Sequence, residues 1–107
     1  MNKYDIVYVL FPYEEDPLIR VRRPCLIVDD DAAYLLGARI TKHPGRDRDR
    51  LDYELRDWDK EGLQVPSTVR LSKLANISGS ETDYVGHLTD YDIEQINKIL
   101  SSDEKLK

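Results

Sequence analysis

The sequence is poor in the residues that build covalent and metal-held scaffolds, with one cysteine, Cys25, and two histidines, His43 and His87, among 107 residues. A lone cysteine excludes an internal disulfide and a thiolate metal cage, and it points to a reducing compartment. Long hydrophobic runs are missing too. The first apolar stretch, Ile6 to Phe11, is too short to cross a bilayer and follows Asp5 rather than a basic flank. Neither a membrane span nor a leader is expected, and the protein reads as cytoplasmic. A basic excess is also lacking: 16 Lys and Arg against 21 Asp and Glu leave a net charge of −5, which excludes a histone-like coat for polyanions. No G-x-x-x-x-G-K-[ST], G-x-G-x-x-G, H-E-x-x-H, G-x-S-x-G or paired C-x-x-C occurs, so nucleotide-cofactor and zinc enzymes fall away and no cofactor is expected.

What is present suits one small domain over residues 1–107, with 40% hydrophobic and 35% charged residues. Tyr4 to Phe11 is β-branched and aromatic and is closed by Pro12, which predicts a strand. Cys25 to Val28 predicts a second, stopped by Asp29-Asp30-Asp31. That acidic triplet is better read as a solvated turn than as a cation site, because three consecutive carboxylates cannot face one ion. Ala33 to Thr41 predicts a third strand paired with the second, although its Leu and Ala leave a helix open. Short strands follow at Tyr53 to Leu55, Val69 to Leu74 and Tyr84 to Leu88. Asp57 can cap one or two helical turns carrying Trp58, ended by Gly62. Thr89-Asp90-Tyr91-Asp92 begins an amphipathic helix with Ile93, Ile96, Ile99 and Leu100 on one face, and the polar stretch 101–107 is expected to fray. The pattern predicts a mainly β domain with a C-terminal helix, as a small barrel or strongly bent sheet.

Charge is unevenly placed. Residues 20–50 hold eight basic and five acidic groups, the only third of the chain with a positive sum, so a polyanion site belongs there. Its basic groups are Arg20, Arg22, Arg23, Arg39, Lys42, Arg46, Arg48 and Arg50. Arg23 stands at the entrance of the second strand and Thr41 at the exit of the third, and hairpin ends of this kind can meet. A guanidinium and a hydroxyl converging on a phosphodiester would stabilise the charge that grows in its transition state. A solvated arginine and an ordinary strand-end threonine are the plainer alternative. His43 and His87 could each act as acid or base, or simply lie at the surface. Trp58 reads as a core anchor before a base-stacking platform, and Cys25 as a buried inert thiol.

The succession Asp5-Ile6-Val7, Phe11-Pro12-Tyr13, Arg23-Pro24-Cys25-Leu26-Ile27-Val28, Ala38-Arg39-Ile40-Thr41-Lys42 and Asp52-Tyr53-Glu54-Leu55-Arg56-Asp57-Trp58 resembles the MazF/PemK-like toxins of type II toxin–antitoxin systems. Pro66 to Leu74 and Val85-Gly86-His87-Leu88-Thr89 are similar to the closing strands and helix of that family. The resemblance implies an SH3-like barrel with a terminal helix and a homodimer. It also implies an endoribonuclease that cuts single-stranded RNA at short sequences without metal, leaving a 2′,3′-cyclic phosphate, and is restrained by a cognate antitoxin. By motif position Arg23 resembles the catalytic arginine and Thr41 the catalytic hydroxyl. Arg20, Arg22, Arg39, Lys42, Arg46, Arg48 and Arg50 are then the expected RNA-binding residues, and His43 and His87 the possible acid/base groups. Two positions depart from the family: Tyr4-Asp5 stands where Gly-Asp is usual, and His87 where many relatives carry arginine. The alternatives are a non-catalytic SH3-like barrel that binds a peptide or nucleic acid, and a toxin acting on another target such as a topoisomerase. The Arg23 and Thr41 pair separates the first, since a binding module needs no such pair.

Overall fold

A computed structural model describes residues 2–12, 20–31, 34–42, 51–78 and 81–105. Six antiparallel strands precede one helix: β1 (Asp5–Pro12), β2 (Arg20–Asp29), β3 (Leu36–Thr41), β4 (Asp52–Glu54), β5 (Thr68–Asn76), β6 (Thr82–His87) and α1 (Asp90–Lys105). They form a single sheet in the order β4-β5-β3-β2-β1-β6. The mainly β reading with a C-terminal helix therefore holds. Of the run that left a helix open, Leu36 to Thr41 is strand, paired with β5 along its length and with β2 from Leu36 to Arg39. Closure into a full barrel is not seen among the described residues, because the three-residue β4 and β6 remain as edges. Extents of 33 × 32 × 29 Å nevertheless make the molecule nearly isometric.

Strand alternation sends apolar residues to both faces of the sheet. One face carries Ile6, Leu26, Val28, Ala38, Ile40 and Val69, packed with Leu55, Leu63, Leu71, Leu88 and Ile96 of α1. The opposite face carries the smaller cluster of Val7, Val9, Cys25, Ile27 and Ile77, all 0–1% exposed. Burial pushes the Cys25 thiol up to about 12, which makes it the inert thiol expected of its apolar run.

Tyr4 has φ +72°, the only positive value outside glycine among the described residues. This is the position where a glycine would meet no penalty, and Tyr4 holds it through fixed partners. Its N–H donates to the Ile27 carbonyl (2.7 Å), its carbonyl accepts from Leu88 N–H (3.1 Å), and its hydroxyl donates to Asn97 of α1.

The predicted turns at Asp57 are a single helical turn. The Glu61 N–H donates to the Asp57 carbonyl (3.1 Å), and Gly62 at φ +94° ends the turn. Asp57 does not cap this turn with its side chain. Its carboxylate instead accepts the Thr89 hydroxyl (2.6 Å) and a two-pronged bond from Arg56 (3.1 Å each), while its N–H donates to Asp92 (3.0 Å). These charge-assisted bonds, that from Arg56 first, hold the Asp57 carboxyl below its ordinary range.

At the start of α1, Thr89 caps the helix, accepting from Asp92 N–H at 3.4 Å. In a capping box an acid three residues on would accept the Thr89 N–H. Here Glu61, from the distant turn, accepts it at 2.9 Å through Oε2. Glu61 is 0% exposed, and its Oε1 has no donor among the described residues. Burial first, and then the hydrogen bond that its protonated form makes to Asp92, push the Glu61 carboxyl up to about 8. The helix continues to Lys105, so the 101–105 part of the stretch expected to fray is helical.

A native proton that the unfolded chain releases near 4.5 makes stability fall as pH rises from about 4.5 toward about 8. Glu61→Gln keeps the acceptor for Thr89 and supplies a permanent donor to Asp92. Its melting temperature should decline less between pH 5 and 8 than that of wild type, and exceed it at pH 8; parallel curves would contradict this. A Cβ at Gly86 would lie 2.1 Å from the Glu61 carbonyl oxygen, so backbone must shift to admit it. Gly86→Ala should lower stability by about 1–3 kcal/mol in urea unfolding, the range for overpacking.

Candidate functional site

Residues opposite one another on antiparallel strands share a face, and one row crosses five strands: Val7, Cys25, Arg39, Arg70 and Asp52. Arg70 Nε donates to Asp52 Oδ1 at 3.3 Å, with both side chains largely covered. Two residues further on lies a second row on the same face. Val9 is opposite Arg23 on one side, and Thr41, Thr68 and Glu54 align on the other. Between these halves the β2 and β3 pairing stops at Cys25 and Arg39, one residue short of Pro24, which has no N–H with which to extend it. Carried two residues on, the same register faces Arg23 with Thr41. Arg23 thus lies within β2 rather than at its entrance, on the same face of the sheet as Thr41.

Arg23 and Arg39 are half-buried, and neither side chain has a hydrogen-bonding or ionic partner among the described residues. The Arg39 Nε is fully covered and unpaired. A covered guanidinium nitrogen without an acceptor is costly, and an anion would relieve it. Lys42 follows Thr41 directly and is exposed.

The remaining expected residues are dispersed. Arg22 points to the other face, where it pairs with Asp83 and stands 5.8 Å from the Tyr8 ring centre. Arg20 is opposite Pro12 at the far end of β2. His87 is opposite Asp5, and its Nδ1–H donates to Asp5 Oδ1 at 2.7 Å. Burial alone would raise the Asp5 carboxyl, but the Asn2 N–H and His87 together lower it. Val9, the partner of Arg23, lies four positions along β1 from Asp5, a span of ~13 Å at strand rise. His87 is therefore not brought to Arg23 and Thr41. His43, Arg46, Arg48 and Arg50 lie outside the described residues.

Sequence reasoning missed a cavity of about 170 Å³ lined by Lys42, Glu54, Leu55, Trp58, Pro66, Ser67 and Thr68, beside Thr41 at the end of β3, β4 and β5. Trp58 packs on the core cluster, as its neighbours implied, and also walls this cavity. The only signal in the sequence was the turn that carries Trp58.

No described helix is long and apolar enough to cross a membrane. No curated protein sequence matches the chain. The family model of the PemK-like, MazF-like toxins of type II toxin–antitoxin systems matches residues 2–102, and with nearly the whole chain covered the protein belongs to that family.

Proposed function

We propose that this toxin is an endoribonuclease that cuts single-stranded RNA in the cytoplasm without a metal, through a 2′,3′-cyclic phosphate, and is held in check by a cognate antitoxin. The observation that carries the reading is the pair of half-buried arginines, Arg23 and Arg39, whose side chains have no partner among the described residues, on the face that also bears Thr41. In the reaction the ribose 2′-oxygen bonds to phosphorus, the bond from phosphorus to the 5′-oxygen breaks, and the proton lost by the 2′-hydroxyl is balanced by one gained at the leaving oxygen. Arg23 neutralises the charge that accumulates on the non-bridging oxygens and assists the leaving oxygen. Thr41 hydrogen-bonds the phosphate or the attacking hydroxyl. Arg39 and Lys42 hold neighbouring phosphates.

RNA should be cut in the presence of EDTA, leaving cyclic phosphate and 5′-hydroxyl ends. Arg23→Ala should lower the rate by about 100- to 1,000-fold, as loss of one oxyanion donor does. A folded Arg23→Ala protein that cuts at the wild-type rate would sink the assignment.

We further propose a homodimer, because a chain of this size leaves apolar surface to cover, as Tyr8, Leu10 and Tyr84 on neighbouring β1 and β6 do here. Light scattering at micromolar concentration should give twice the 12.5 kDa chain mass. A monomer would contradict the proposal.

A further inference from the structure

We infer that the cavity beside Thr41 is a subsite for one pyrimidine base, belonging to the nucleotide next to the phosphate held by Arg23 and Thr41. The inference rests on the RNA reading and adds to it where and how a base is held.

Size argues first. A volume of about 170 Å³ is well under the ~300–1,000 Å³ of drug-sized sites and close to the ~150 Å³ that holds a single benzene ring. It suits one ring and is tight for two. Its walls argue second: Trp58, Leu55 and Pro66 are flat or apolar, as a base face requires, while Lys42, Glu54, Ser67 and Thr68 bring donors and acceptors for a base edge. The indole N–H of Trp58 makes no hydrogen bond to a described residue. Position argues third, since Thr68 is directly opposite Thr41 and Lys42 adjoins it, so a chain whose phosphate lies at Thr41 passes the mouth of the cavity. The wall is also rigid. The turn bearing Trp58 is fastened by the bonds of Arg56 and Asp57 to Asp92, so little ordering is needed when a base enters. An apolar side chain of the antitoxin would fill the same volume. The cation beside Thr41 and the polar rim favour a nucleotide.

Trp58 is the only tryptophan, so its emission reports on this cavity alone. The full chain is titrated with fluorescein-labelled 2′-O-methyl oligocytidylate, oligouridylate and oligoadenylate, which lack the attacking hydroxyl, and with an abasic oligomer of equal length. Anisotropy reads binding and Trp58 emission reads occupancy. Pyrimidine oligomers should quench Trp58 with the midpoint seen in anisotropy, oligoadenylate should quench less, and the abasic oligomer should bind without quenching. Trp58→Leu, checked for folding by its thermal transition, should weaken pyrimidine oligomers about 5- to 100-fold and leave the abasic one unchanged. Binding without any change in Trp58 emission, or equal quenching by the abasic oligomer, would overturn the subsite and leave the RNA reading standing. Quenching by co-expressed antitoxin but not by RNA would assign the cavity to the partner protein and overturn it as well. Absence of both binding and cleavage would overturn the RNA reading and the subsite together.

Discussion

The carboxylate of Asp92 is the constraint on which the rest of the site depends. Fully buried in the first turn of α1, it accepts the Tyr53 hydroxyl (2.5 Å), the Arg56 N–H (3.2 Å) and the Asp57 N–H (3.0 Å). A buried carboxylate is expensive unless its lone pairs are filled, and here they are filled by β4 and by the turn that follows it. Burial and this hydrogen bond raise the Tyr53 phenol above its usual range, so it remains a donor at every physiological pH. Helix, edge strand and turn are thereby fixed to one another, and Trp58 with them.

The same network explains why so short an edge strand persists. β4 has three residues and pairs only with β5. Its side chains compensate: Asp52 binds Arg70 on one face of the sheet, and Tyr53 binds Asp92 on the other. The face that bears Arg39 and Arg23 thus has a rigid border. Against that border the side chains of Arg39 and Arg23 have no partner among the described residues, an arrangement a folded domain maintains at some cost and that an anionic ligand would relieve.

Pro24 supplies the complementary opening. The pairing of β2 with β3 ends at Cys25 and Arg39, beside Pro24, whose missing N–H cannot extend the ladder toward Arg23 and Thr41. Backbone groups in a continuous ladder would be consumed by each other.

Much of the fold was legible because it rests on period and composition. β-branched runs, the acids of the helix start and the 3.6-residue spacing of Ile93, Ile96, Ile99 and Leu100 are local, and each element lies where they indicate. Motif order likewise carried the family. Tertiary structure alone decided which charged groups are inside. Nothing local distinguishes Asp92 from Asp90, or Glu61 from Asp59, yet the former of each pair is buried and the latter exposed. Nor does spacing tell that Arg22 meets Asp83, or that Trp58 and Lys42 line one cavity. Hydrogen-bond partners 28 to 39 residues away settle such matters, and a pattern read along the chain cannot register partners that only folding brings together.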